Sequence, residues 1–416
     1  MDKPASARPI IVVTGANGGV GFGICQRLLF QFCHTNPTDG LPQGFVVDSS
    51  TPDLPVEFDG LTLIMACRSV KRAEAARTKL LGLLDGYISK LQRKPDYDGH
   101  AHAFRKNLVI DIVSVDLAML STVFKFADEV KSKYPYISRL ICNAGVASFS
   151  SIEWGPCFKQ LLKEPMTAVT APAYYGQHSG EISIDGLGWV WQCNLFGHYV
   201  LYRSIQDLLL ASPPSLGARV VWMSSLEASP TFYDPEDWQL KKTGHSYEST
   251  KYQIDLIGTH LDRRALASSS SRRIRHFITQ PGVCSTNVAD ALVGPVLDVF
   301  KVILFYLARF FGSPHHAIDP YKAAIGAVHL SLASLSFITL FDSPTKRDAN
   351  THRTVKFGAE TNRWGAERVG LTEVKDWDAQ AAEGEVLLGK IEALYEKFKE
   401  AEKTVMINFE TASERM

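Results

Sequence analysis

The stretch IIVVTGANGGVG, residues 10–21, decides the fold. Ile10 to Val13 are consecutive β-branched apolar residues, the pattern of a strand buried on both faces, and they run directly into glycines at 15, 18, 19 and 21. Positions without a Cβ let the backbone turn sharply and approach a pyrophosphate. Behind them Ile24, Leu28, Leu29 and Phe32 are spaced for a helix whose first amides and positive dipole end face the same anion. Thr14, Gly15, Asn17, Gly19, Val20 and Gly21 are therefore candidates for dinucleotide contact.

The same strand-and-helix alternation continues down the chain. After a surface excursion rich in proline, glycine and acids (35–60), strands are expected at Leu61–Cys67, Leu108–Val115, Leu140–Cys142, Ala218–Met223 and Arg275–Thr279, the last before a QPG turn. Helices are expected at Val70–Ile88, Leu120–Ser132 and Trp189–Leu210. This spacing predicts an α/β fold, a Rossmann-type doubly wound parallel sheet carrying surface insertions and an apolar C-terminal extension. Residues 150–188 yield no unique structure. The expected division is a reductase core over 1–290, an apolar lid or membrane-associated segment over 291–345, and a C-terminal extension over 346–416 packing on the core.

Composition excludes several functions. Forty-four basic residues balance 44 acidic ones in 416, so no net field gathers nucleic acid, and no basic arm interleaved with aromatics is present. Seven cysteines, without CxxC or metal-ligand spacing, read as reduced thiols facing the cytosol. The short apolar run at the start passes straight into the glycine turn and does not form a signal peptide. His315 and His316 are consecutive and present no helical ligand face, so no metal is expected. There is no GxSxG elbow, which argues against an acylating serine.

The chemistry centres on YESTK, residues 247–251. Tyr247 and Lys251 are one helical turn apart and share a face. A free phenol near pKa 10 is a poor acid at neutrality, but a neighbouring ammonium and an oxidised nicotinamide both favour its phenolate. Tyr247 then donates its proton to a ketone oxygen as hydride arrives from NADPH, while Lys251 also holds the ribose hydroxyls. Ser225, at the end of ARVVWMSS, is the residue expected to orient the carbonyl oxygen, with adjacent Ser224 as the alternative. Asn194, inside an apolar helix, is expected to bend it and hold a water against Lys251.

Further cofactor contacts follow from the other strand ends. Arg68 stands where an NAD-selective site places a carboxylate, and with Lys71 or Arg72 it suits the 2′-phosphate of NADPH; an exposed basic helix start is the plainer reading. Asp116 and Leu117 after the third strand suit the adenine, although Asp116 equally suits a helix cap. Asn143, Ala144 and Gly145 end the fourth strand beside the nicotinamide ribose. Pro281, Gly282, Val283, Ser285 and Thr286 follow the last strand, near the carboxamide and phosphates.

Two later segments are unusually apolar, Ala291–Phe311 and Ala323–Phe341. Asp298, Lys301 and Arg309 interrupt the first, leaving a face of Val299, Val302, Ile303, Tyr306, Leu307 and Phe310 suited to a bilayer interface, a lipid pocket or a homodimer contact. The second is read as a buried helix. The tail Asp376–Lys403 reads as an amphipathic helix that docks through Val386, Leu387, Ile391, Leu394, Tyr395 and Phe398.

In order along the chain, TGANGGVG, NAG, Asn194, Ser225 and YESTK resemble the short-chain dehydrogenase/reductase pattern over about residues 8–290. Within that family the chain is most similar to the fungal 3-keto-steroid reductases of sterol C-4 demethylation, through LTLIMACRS (61–69), EDWQLKKTGHSYESTKYQIDLI (236–257) and QPGVCSTNVA (280–289). The resemblance implies Ser225, Tyr247 and Lys251 as the catalytic trio with Asn194 as relay, and NADPH/NADP as cofactor. It implies reduction of a sterol 3-ketone to a 3β-hydroxyl at the cytosolic face of the endoplasmic reticulum membrane or on lipid droplets, alongside other C-4 demethylation enzymes. A retinoid or acyl ketone is the alternative substrate, and a cofactor-binding scaffold for lipid enzymes the alternative role. One departure is that Tyr247 lies 22 positions after Ser225, about twice the spacing of compact members.

Overall fold

The computed structural model describes residues 8–45, 58, 60–285, 294–342 and 354–413. Its main sheet has eight strands: β1 (Ile10–Thr14), β2 (Leu61–Cys67), β3 (Leu108–Ser114), β4 (Arg139–Cys142), β7 (Ala218–Met223), β8 (Ile274–Gln280), β9 (Val355–Thr361) and β10 (Glu367–Glu373). A separate antiparallel pair, β5 (Phe149–Ile152) and β6 (Tyr175–Gln177), stands beside it. The spatial order is β10-β9-β8-β7-β4-β1-β2-β3, and every pairing is parallel except β9 with β10. The chain winds outward both ways from β1, with Ile10 opposite Thr62 on one side and Val13 opposite Ile141 on the other.

The two faces separate by strand periodicity. Ile11, Val13, Leu63, Met65, Val221 and Met223 point into one apolar layer, while Ile10, Val12, Ile64, Ala66, Val220 and Trp222 point into the other. Helices α1 (Gly19–Gln31), α2 (Val70–Leu91) and the buried helix Ile325–Leu332 cover the first. Helices α3 (Leu120–Lys133), the run 189–204, α6 (Ser246–Ala267) and the C-terminal α9 (Trp377–Ser413) cover the second. Between these lie three further helices: α4 (Trp154–Lys163) and α5 (Pro165–Thr170) in the region that sequence left open, and α7 (Pro295–Phe310). The buried helix Ile325–Leu332 is α8.

Several expectations are corrected. The strand at Arg275–Thr279 is not the last, because β9 continues the sheet in parallel and β10 closes its edge. The run Ala323–Phe341 is not one helix. It stops at Ala333, and Leu335–Asp342 begins a new one whose start is held by the Ser334 hydroxyl accepting from the Phe337 amide. In the tail, Leu387, Ile391, Leu394, Tyr395 and Phe398 pack on the core as expected, but Val386 is exposed and Leu388 is buried in its place. The described part of the first apolar segment begins at Gly294; residues 291–293 lie outside the described residues. No helix among the described residues is long and apolar enough to cross a membrane.

For function, the consequence of this winding is that β1, β4, β7 and β8 end along one edge. Backbone amides and carbonyls freed at those strand ends are what a ligand meets in an open parallel sheet.

Candidate active site

The glycine turn is shaped by contacts that leave no room for side chains. Gly15 adopts φ +66°, and a Cβ there would lie 3.0 Å from Cα of Ala144. A Cβ on Gly21 would overlap the carbonyl oxygen of Gly15 and sit 2.6 Å from Nδ2 of Asn143, so α1 packs against the strand ends only because residue 21 is glycine. Gly18 caps α1 without a side-chain partner and has open space where its Cβ would be. The first amides of a thirteen-residue helix therefore face an open cradle, which fits a pyrophosphate.

That cradle is one wall of a cavity of about 980 Å³, at the upper end of the ~300–1,000 Å³ of small-molecule sites. Gly15, Asn17, Gly19 and Val20 line it, joined by Asn143, Ala144 and Gly145 after β4 and by Pro281, Gly282 and Val283 after β8. Gly21 lies behind the turn. Thr14 is also not at the surface of the cavity. Its hydroxyl is fully buried, accepts 2.9 Å hydrogen bonds from the amides of Asn143 and Ala144, and lies 2.8 Å from Nε2 of His198. Its hydroxyl fastens two strand ends together behind the cavity wall, a task not foreseen for it. Ser285 is turned into structure through its amide, which donates to the Ile318 carbonyl; Thr286 lies outside the described residues.

The residues expected to read the adenosine end are placed less tightly. Arg68 is mostly exposed at the end of β2, with Nη1 3.9 Å from Oδ2 of Asp116. Asp116 uses Oδ1 to accept from the Ala118 amide in the turn before α3, whose N-cap is Met119, so it does not cap the helix, and Leu117 is buried in the core. Arg72, one turn into α2, lines the cavity beside the glycine turn.

At the far wall, α6 presents Tyr247 and Lys251 as its spacing requires. Nζ of Lys251 donates to the carbonyl of Met223 at 2.7 Å and lies 5.7 Å from the centroid of the Tyr247 ring. Ser225 is hydrogen-bonded to the Tyr247 phenol, and its hydroxyl also accepts from the Glu227 amide at 3.1 Å. Ser224 turns away, donating to the Lys251 carbonyl, so of the two serines it is Ser225 that faces the tyrosine. The long loop after it folds out and returns at His245, where the wide spacing from Ser225 is absorbed.

Asn194 sits in a five-residue π-helical bulge, Gln192–Phe196, within the run 189–204. Both ends of its amide hold the Val146 backbone: Oδ1 accepts at 2.7 Å and Nδ2 donates at 2.8 Å. It thus anchors the loop after β4, a task not foreseen for it. A Cβ on Gly145 would lie 3.2 Å from Asn194 Oδ1 and 3.8 Å from Lys251 Nζ, so glycine lets the two side chains close on that loop.

Burial sets the charges of the site. The Lys251 ammonium is pushed down to about 8 by burial, against the support of Asp255 and Glu227. Burial, then Glu227, raise the Tyr247 phenol above its ordinary value, the reverse of the lowering expected from Lys251 and an oxidised nicotinamide together. Tyr247 is therefore held protonated, the form a proton donor requires. Glu227, which sequence analysis did not single out, lines the cavity with Oε2 buried and without a partner, and burial followed by the Glu248 charge raises it to about 8. A carboxyl two residues beyond a strand-end serine was the available signal.

No family model matches the chain. Individual relatives do. The 3-keto-steroid reductase of Eremothecium gossypii is 33% identical over 64% of this chain and 70% of its own length. The chain belongs to the 3-keto-steroid reductase family. The Schizosaccharomyces pombe enzyme of the same name is 28% identical over 89% of this chain and 92% of its own, and that of Saccharomyces cerevisiae 28% over 88% and 90%. Membership makes the chain an oxidoreductase, a ketoreductase, and the likeness to the last two runs past residue 290 into the extension.

In this 3-keto-steroid reductase family member, the Glu227 carboxyl gives a testable pH dependence. Folded, it keeps its proton up to about pH 8; unfolded, it loses it near 4.5. The folded state binds the extra proton between those values, so this contribution to stability is complete below 4.5 and disappears as pH rises through 8. Glu227→Gln is expected to leave the melting temperature unchanged at pH 5 and to exceed wild type at pH 9. Equal differences at both pH values would show that the carboxyl is ionised throughout.

Proposed function

We propose that the chain reduces the 3-keto group of sterol intermediates to a 3β-hydroxyl, using NADPH, during sterol C-4 demethylation. The observation that carries the reading is the two-sided cavity: Tyr247, Ser225 and Lys251 at its floor, and an apolar roof from Trp154, Leu161, Val169, Phe300, Leu304 and Phe305. One polar reacting end and an otherwise apolar enclosure suit a large lipophilic ketone. The names of the relatives select the sterol among such ketones.

In this reading the cofactor supplies a hydride to the carbonyl carbon when bound. Ser225 orients the carbonyl oxygen, and Tyr247 passes its phenolic proton to that oxygen, so hydride and proton together convert C=O to CH–OH. Lys251 stabilises the phenolate left behind and is placed near Gly145 to hold the ribose. The apolar roof keeps water from the reacting centre. Arg68 just after β2 and Arg72 in the first turn of α2 support preference for the 2′-phosphate.

The roof also supports attachment to the cytosolic face of the endoplasmic reticulum membrane. Trp154, Leu297, Phe300 and Leu304 both line the cavity and reach solvent, and around them Phe158, Leu162, Ile303, Leu307 and Phe310 are exposed. These aromatic and aliphatic groups from α4 and α7 ring the mouth, so seating them in a bilayer interface opens the cavity towards lipid.

Three experiments bear on this. In detergent, the protein is expected to oxidise NADPH with a 4-methyl-3-ketosterol and to yield the 3β-alcohol, with kcat about 10²–10⁴-fold lower in Tyr247→Phe; turnover of retinal or acyl ketones without sterol product would reject the substrate. Arg72→Ala with Arg68→Ala is expected to raise KM for NADPH about tenfold or more and leave NADH unaffected, a loss of roughly 1.4 kcal/mol or above; an unaltered NADPH/NADH ratio would show that neither arginine reads the phosphate. Phe158→Ser with Leu307→Ser is expected to reduce flotation with phosphatidylcholine/phosphatidylinositol vesicles, and undiminished flotation would place the membrane contact elsewhere.

A further inference from the structure

Two lysines beyond the catalytic core reach the loop that carries Ser225. Lys356, on β9, is 1% exposed; its ammonium donates to the Ser225 carbonyl at 3.0 Å and to Oδ2 of Asp255 at 2.6 Å. Asp255 lies on α6 one turn after Lys251 and is equally buried. Lys375, just after β10, donates to the carbonyls of Leu226 at 3.3 Å and Ala228 at 2.8 Å. Three carbonyls within four residues are thus held by ammonium groups from one stretch of chain, 355–375. The loop they hold presents both the Ser225 hydroxyl and the Glu227 carboxyl to the cavity.

An apolar pair of similar size would fill the space of a buried ion pair at equal or better stability. What an ammonium adds is direction: it fixes a carbonyl and a carboxylate at set distances from one point. Resting on the ketoreductase reading above, we infer that Lys356 and Lys375 are positioning residues, through which β9 and β10 set the end of β7 so that Ser225 and Glu227 face Tyr247. The strands that extend the sheet are in this way part of the reaction machinery while touching neither ketone nor cofactor.

The arrangement also has an electrostatic side. Lys251 is faced by Tyr247 and Asp255 from its own helix, by Glu227 from the loop, by His198 from the bulged run and by Lys356 from β9. Lys356 lowers the proton affinity of Lys251 and Asp255 raises it. Removing the Lys356 charge therefore lets Lys251 keep its proton to higher pH.

The test compares Lys356→Met, Lys375→Met, Lys375→Arg and the charge-neutral double variant Asp255→Asn with Lys356→Met, in the full chain. For each, kcat and KM for the reduced ketone are measured from pH 6 to 10, beside a thermal melt. Lys356→Met is expected to lower kcat by about tenfold to a hundredfold, with KM little altered and the alkaline limb of the kcat profile moved upward. Lys375→Met is expected to lower kcat more mildly and Lys375→Arg to restore it. The double variant should regain melting temperature without regaining kcat. Folded double and Lys375→Met variants with wild-type kcat would overturn the inference. If Lys356→Met alone fails to fold, those two variants decide. Absence of 3-ketosterol turnover in wild type would sink the substrate reading instead, and the same comparison then runs on whichever ketone is reduced.

Discussion

The buried ammonium of Lys251 is the constraint on which the rest of the site depends. A charge taken out of water must be met at once by acceptors, and here the Met223 carbonyl at the end of β7 takes its first hydrogen bond. That bond fixes the distance between α6 and β7, which in turn fixes Tyr247 against Ser225. Asp255 supplies the negative charge that opposes the loss of its proton, and Glu227 adds to it only once its own carboxyl ionises. Burial makes the lysine expensive, and the same low dielectric makes its influence on a nearby phenolate strong.

A second fastening lies across the sheet. The Thr14 hydroxyl serves the amides of Asn143 and Ala144 and meets His198, whose other nitrogen lies 3.1 Å from the Asn194 carbonyl freed by the π-bulge. Burial pushes His198 down to about 4, so this link is a neutral one at physiological pH. The Asn194 amide then holds Val146. The glycine turn, the loop after β4 and the bulged helix are consequently one hydrogen-bonded unit, and Gly145 sits where that unit meets Lys251. Pre-set geometry of this kind lowers the ordering cost of binding.

The core of this arrangement could be read from residues 10–21 and 247–251 because both patterns are local. A buried β-branched run followed by glycines has one economical backbone solution, and a four-residue spacing on a helix fixes a shared face. What escaped reading depends on distant partners. Residues 355–361 form a strand because β8 offers a free edge 75 or more positions earlier, and nothing in VKFGAET announces a parallel neighbour. Glu227 and Lys356 have shifted or paired charges only through tertiary burial. Val386 and Leu388 differ in exposure by a rotation of the helix that periodicity over a 37-residue, broadly apolar sequence does not fix.

The additions to the core divide by polarity in a way that follows from where they attach. The 149–177 insertion and α7 flank the open end of the cavity, where exposed Trp154, Phe158 and Phe300 would be a liability in water unless lipid or substrate covers them. The C-terminal extension attaches at the sheet edge beside β8, where polar strand ends already need partners, and it brings there the buried Lys356, whose ammonium pairs with Asp255 of α6 at 2.6 Å. Placing apolar groups at the mouth and charged ones behind the floor leaves the reacting carbonyl at the boundary between them. A ketone with a large hydrocarbon body would enter through the apolar mouth and meet the Ser225 and Tyr247 hydroxyls with its carbonyl oxygen at the floor.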